Sequence, residues 1–150
     1  MIIVDRSFVS ANARELERMR ALVLRFSDQQ LGAMVNDYWS AAGVLGHVAF
    51  WDGRALHLAR KLQRREPLTA FDNEPDDVDW INDSSRPLIH AIAPRALAEL
   101  AVSIAEETDR LIASVPDELI AGLDENSPFN PLRADHRGEH LDEIEAAIRS

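Results

Sequence analysis

The sequence predicts an all-α protein, a four-helix bundle in up-down-down-up order, and three observations carry that expectation. Apolar residues recur at three- and four-residue steps through four long segments, as amphipathic helices require. No stretch shows the two-residue alternation of a half-buried strand, and no internal repeat or low-complexity tract interrupts the pattern. One long irregular stretch lies between the second and third segments, where a bundle with adjacent antiparallel helices would have a short turn.

The first helix follows from Val9, Leu16, Met19, Val23 and Phe26, with Asn12 as the one polar interruption of its stripe. Asp28, Gln29, Gln30 and Gly32 then loosen the period. Ser40 is a suitable N-cap for the second helix, and Trp39 before it is placed to pack on Val44 as a hydrophobic staple. The stripe of this helix reads Val44, His47, Val48, Trp51, Ala55, Leu58 and Leu62. Residues 66–79 break every period and carry Pro67, Pro75 and the acidic group Glu74, Asp76 and Asp77, so they read as a connection. Fourteen extended residues reach roughly 48 Å and a helix from Ser40 to Arg65 is roughly 39 Å long, so this link is long enough to return along the bundle and leave helices two and three parallel.

Residues 79–90 read as a short or broken helical segment because of Pro87. The third helix follows Pro94, carries Leu97, Leu100, Ile104, Leu111 and Val115, and is closed by Pro116. For the fourth helix Asn130 is the expected N-cap with Pro131 in the first turn, and its inward stripe is His136, His140, Ile144, Ala147 and Ile148.

At 150 residues with 46% hydrophobic content, the chain is expected to form one domain over residues 1–150. A formal charge of −10, from 26 acidic against 16 basic residues, argues against nucleic acid as a partner, since phosphate binders gather Lys and Arg on one face. The one basic cluster, Arg60, Lys61, Arg64 and Arg65, ends the second helix, where cations complement the macrodipole; an anionic ligand is the other reading. There is no cysteine, hence no disulfide and no thiolate metal ligand, and any thiol chemistry needs an added thiol. The apolar run at residues 1–6 is too short for a signal sequence and no stretch is long enough to span a membrane, so a cytoplasmic protein without a membrane partner is expected. A homodimer is an assembly this reading allows.

The chemistry centres on histidine. His136 and His140 are four residues apart, so on a helix they project from one face one turn apart, and one cation satisfies both rings where two core imidazoles would need separate buried partners. His47, on the stripe of another helix, completes a candidate three-histidine site. Three neutral imidazoles suit Zn, Ni, Fe or Cu, and three protein ligands leave a position for water or substrate. Taken alone, His47 reads as a hydrogen-bonded core residue; the pair changes that reading. His57 is rotated about 80° from His47 on an ideal helix and is left out as half-exposed. His90 reads as a loop or capping residue.

Asp52, Glu139 and Glu143 are near enough in sequence to accept a proton from a ligating ring, with plain solvation as the simpler reading of each. Trp51, one turn beyond His47, is a candidate cavity wall, with core packing the simpler reading. Asn82 and Trp80 are candidates to close over the site. Glu139 precedes His140 outside the metalloprotease register and is not assigned as a base, and no Gly-rich phosphate loop or Gly-x-Ser-x-Gly motif is present.

The run Trp39-Ser40-Ala41-Ala42-Gly43-Val44-Leu45-Gly46-His47-Val48-Ala49-Phe50-Trp51-Asp52, with His136-Arg137-Gly138-Glu139-His140-Leu141-Asp142-Glu143-Ile144, resembles the DinB-like superfamily. That superfamily also includes the N-terminal domain of mycothiol-dependent maleylpyruvate isomerase, and the likeness covers essentially the whole chain. The resemblance implies the up-down-down-up bundle and a divalent metal, zinc or nickel, held by His47, His136 and His140. It also implies the range of activities in the family: S-transferases and isomerases using mycothiol, bacillithiol or glutathione, hydrolases, and proteins without known activity. Two classes stay open. One is a metal-dependent enzyme, transferring a low-molecular-weight thiol to a small electrophile or activating water as a hydrolase. The other is a non-catalytic bundle that binds a metal or a small ligand.

Overall fold

Seven α-helices and no strand form among residues 3–149, which a computed structural model of the protein describes. They are α1 (Ser7–Arg25), α2 (Asp28–Gly32), α3 (Ala41–Gln63), α4 (Asp79–His90), α5 (Pro94–Ser114), α6 (Asp117–Ala121) and α7 (Ala134–Ala147). The four long segments of the sequence are α1, α3, α5 and α7. None of the described helices is long and apolar enough to cross a membrane.

The core divides into two clusters. One gathers Leu16, Met19 and Leu22 from the later part of α1 and Phe26 just after it, Leu45 and Val48 from the start of α3, Ala98, Ala101 and Ala105 from α5, and Leu141 and Ile144 from α7. The other joins Phe8 of α1 to Leu58 and Leu62 near the end of α3, Ile112 and Val115 at the end of α5, and Phe129 before α7. Burying each leucine, isoleucine or phenylalanine here stabilises the fold by roughly 1.5–3 kcal/mol before its ordering entropy is counted.

Several elements differ from their sequence reading for local reasons. The core face of α5 consists of Leu97, Ala98, Ala101, Ala105, Thr108 and Ile112, while Leu100 is 43% exposed. Small side chains let α5 and α3 approach closely, and Gly46 of α3 serves the same contact: a Cβ there would meet Ile89 Cγ2 at 2.6 Å and Leu97 Cδ1 at 2.9 Å. The loosened stretch after α1 forms the short helix α2, because Ser27 and Gln30 make a reciprocal capping box. Helix α4 is continuous despite Pro87, which lies in its last turns, and both Pro87 and Asp83 one turn earlier are exposed. Residues 66–78 are irregular apart from a 3₁₀ turn at Ala70–Asp72, tied to α3 where Lys61 Nζ donates to Asp72 at 2.8 Å, and Asp79, expected in the connection, opens α4.

The basic end of α3 is committed to ion pairs. Arg60 meets Glu107, Arg64 meets Glu66 at 3.2 Å, and Arg65 meets Glu118 at 3.0 Å, so with Lys61 on Asp72 each cation of the cluster has a carboxylate partner.

The start of α7 departs furthest from expectation. Asn130 does not cap it; its Oδ1 accepts from Leu132 N in a local turn, and the helix begins at Ala134. The capping acceptor comes from α1 instead. Asn12, 1% exposed, accepts from Arg133 N at 2.7 Å and Ala134 N at 2.9 Å, and its Nδ2 donates to Pro131 O at 2.8 Å. The polar interruption in the α1 stripe is therefore the group that accepts from two N–H donors at the entry to α7, those of Arg133 and Ala134.

Candidate metal centre

The buried line of α7 is Ala134, Arg137, Leu141 and Ile144, continued by Ile148 just after the helix, while Ala147 is exposed. His136 and His140 are therefore each displaced by one residue from that line, and they stand half-buried at its edge. There they meet His47, also half-buried, on α3. The three rings pack edge to face, with centroids 5.2 Å apart for His47–His136, 4.8 Å for His47–His140 and 4.7 Å for His136–His140. Each residue offers one ligand atom, and these atoms all lie within 4.8 Å of one another, so the group could hold a metal ion. Two metal–nitrogen bonds of about 2.1 Å span at most about 4.2 Å, so the three ligand atoms would draw closer together around a bound ion.

The polar atoms of the cluster support that fit. Nδ1 of His136 and Nδ1 of His140 are buried without a hydrogen-bond partner, an arrangement that is costly in a core and is relieved by a cation or by a proton acceptor. Burial, and then the neighbouring His140, pushes the His47 imidazole down to about 4. His136 is pushed down to about 3 by burial, then by His140 and His47, and then by Arg133 and Arg137. Both rings are neutral near pH 7, which is the form that donates a lone pair to a metal.

Around the three rings the structure places the other sequence candidates unevenly. Glu143 lies beside the cluster: its Oε2 is 3.4 Å from His140 Nδ1, outside hydrogen-bonding geometry, and its Oε1 accepts from Asn36 Nδ2 at 3.0 Å. Trp51 is half-buried and walls a cavity of about 320 Å³ shared with His47 and His136, so core packing does not describe it. Its indole Nε1 donates to Asn82 Oδ1 at 2.9 Å, and Asn82 lines the same cavity. Trp80 is 59% exposed and Glu139 is exposed; neither lines a cavity that reaches the histidines.

Asp52 is neither solvated nor turned to a histidine. It is fully buried and accepts from Arg133 Nε at 3.0 Å and from Arg137 Nε at 2.9 Å. Arg137 is equally buried and holds Asp109 of α5 through a two-point contact of 3.0 and 2.8 Å, while its Nη1 also donates to Asn12 O at 3.2 Å. Burial opposes the charge on Arg137, but its hydrogen bond to Asp109 and the two carboxylates outweigh that and hold its pKa above the ordinary value. The network joins α7 to α1, α3 and α5 beside the histidines.

His57 is exposed and takes no part in the cluster. His90 ends α4, where its Nε2 accepts from Ser40 N at 3.4 Å ahead of α3, and its ring stands 5.4 Å from that of Trp39. Sequence reasoning missed Arg137, Asp109, Arg133 and Arg54. The detectable signal was Arg137 itself, which shares a helical register with Leu141, Ile144 and Ile148 and so had to be buried and paired.

A family model described as the DinB superfamily matches residues 11–141. No curated protein and no solved structure matches the chain.

Proposed function

Because the chain belongs to the DinB superfamily, we propose that it is a divalent-metal-dependent enzyme that transfers a low-molecular-weight thiol to an electrophilic small molecule. The observation that carries this reading is the mutual approach of His47, His136 and His140, two of which, His47 and His136, line a cavity. The group of close ligand atoms stops at three among the described residues, and three protein ligands would leave the metal a coordination position for thiol or water. Zinc or nickel suits three neutral imidazoles, and such an ion supplies Lewis acidity that lowers the pKa of a thiol toward neutrality.

The chain's own residues do the rest of the work. The depressed pKa values of His47 and His136 keep both rings unprotonated at neutral pH. Glu143, anchored by Asn36, stands next to His140 without a hydrogen bond to it, where a carboxylate is placed to accept from that ring once it ligates. Trp51 and Asn82, joined by a hydrogen bond, wall the cavity on one side. The chain has no cysteine, so the nucleophilic sulfur belongs to the thiol cosubstrate.

The same proposal takes the helices in up-down-down-up order, with residues 66–79 as the crossover. The core membership supports it. The later part of α1 shares a cluster with the beginnings of α3 and α5 and with the later part of α7, while the start of α1 shares the second cluster with the ends of α3 and α5.

The test is a matrix of assays: an electrophile panel with mycothiol, bacillithiol or glutathione, with and without zinc or nickel. Turnover that needs both metal and thiol supports the transferase. Turnover in thiol-free buffer replaces it with a hydrolase, and a metal-loaded protein that turns over nothing with any thiol overturns the enzyme reading in favour of a binding bundle.

A further inference from the structure

The cavity beside His47 and His136 carries a cationic wall in a chain whose formal charge is −10. Arg133 and Arg54 line it, and the one carboxylate among the lining residues is Glu74. Arg133 is held in place from behind. Its Nε donates to the buried Asp52 at 3.0 Å, its side chain is 13% exposed, and among the described residues neither Nη1 nor Nη2 has a hydrogen-bond partner. Arg54 donates one Nη2 bond to the backbone carbonyl of Asp72 at 2.7 Å and enters no ion pair among the described residues. Asn82 and Asn130 also line the cavity. Each has its Oδ1 engaged, by Trp51 Nε1 and Leu132 N respectively, which leaves their Nδ2 donors available.

A wall with several unused donors and two guanidinium groups faces an acceptor-rich anion. We propose that this cavity binds the carboxylate of a small organic acid, held by the terminal nitrogens of Arg133 with Arg54 in support, and places that acid's reactive carbon against the histidine cluster. The two free nitrogens of Arg133 match the two oxygens of a carboxylate, and their orientation is fixed in advance by Asp52. About 320 Å³ accommodates a small acid. With a formal charge of −10 the chain as a whole disfavours anions, and the two arginines offset that at this wall. The inference rests on the reading of the histidine cluster as the reaction centre and assigns its electrophile to the carboxylic acids.

The binding step is measured on the metal-free protein, which separates it from the metal and the thiol. Crotonate is titrated against its uncharged amide, crotonamide, while the Trp51 indole N–H resonance, assigned with Trp51→Phe, is followed by NMR. Crotonate should shift that resonance saturably and crotonamide should not. Arg133→Lys keeps a cation beside Asp52 but removes the fork, and should weaken crotonate about tenfold, the scale of a lost charge-assisted pair. Arg54→Gln lies outside the buried ion network and should weaken it about threefold, and Glu74→Gln should tighten it by about the same factor. Equal binding of acid and amide, or unchanged crotonate affinity in both arginine variants, overturns the proposal. Carboxylate binding without metal-dependent turnover leaves this inference standing and removes the thiol-transferase reading. Metal- and thiol-dependent turnover of uncharged electrophiles alone does the reverse.

Discussion

The Arg137 guanidinium and the Asp52 carboxylate, both fully buried, meet at 2.9 Å between α7 and α3. The contact lies one residue from His136 on one helix and five from His47 on the other, so it sets how α7 lies against α3 where the imidazoles converge. A buried ion pair adds little net stability over an apolar pair of the same volume, but removing one partner strands the other charge. Arg137→Leu should therefore destabilise the fold by about 3–5 kcal/mol, read from urea unfolding. Asp52→Asn combined with Arg137→Leu should cost clearly less than the sum of the two single changes, because the coupling is direct. Additive costs would show that the two residues act independently.

Asn12 makes a second prediction about the same helix. Its side chain satisfies two N–H groups at the start of α7 and donates to Pro131 O. Asn12→Ala should cost about 2 kcal/mol, the upper range of a lost N-cap, because these donors are left in a buried place. Asn12→Asp keeps the acceptor, loses the donor and adds a charge beside the N-terminus of α7, so it should recover part of that stability near pH 7. Equal losses in both variants would locate the effect in packing.

The imidazoles predict a pH dependence of the metal-free protein. His47 and His136 are held at about 4 and about 3 in the folded state, against 6.5 for the unperturbed ring. As pH falls below about 6.5 the unfolded chain takes up these protons first, so the stabilisation is complete above that pH and is lost progressively toward pH 4 for His47 and pH 3 for His136. Carboxylates titrate at the lower end of this window, so the informative quantity is the difference between the wild type and His47→Asn/His136→Asn. The double variant should show a shallower decline between pH 6.5 and 4; an unchanged slope would mean that the rings are not held neutral by the fold.

Much of this was legible in the residues. The long helices were readable because their apolar period is continuous, and the Ser40 cap formed as its chemistry requires, accepting from Gly43 N at 2.9 Å. The three histidines were legible because the spacing of His136 and His140 fixes their common face. What escaped was interaction between distant segments. The cap of α7 comes from Asn12, more than a hundred residues away, and no local pattern at residues 130–134 records it. The alanine face of α5 was missed because large apolar side chains marked its inward face, whereas close packing against α3 favours small ones. Asp52 was placed with the histidines by sequence proximity, yet the arginines of the segment entering and forming α7 claim both of its oxygens.

The central claim is that His47, His136 and His140 form one metal site, and stoichiometric metal analysis of tag-free protein tests it most directly. The wild type should carry about one zinc or nickel ion per chain, and His47→Ala, His136→Ala and His140→Ala should each lose most of that occupancy, because two imidazoles hold such an ion poorly. His57→Ala, on an exposed ring outside the cluster, should retain it. Full occupancy in all three cluster variants, or a loss confined to His57→Ala, would contradict the account.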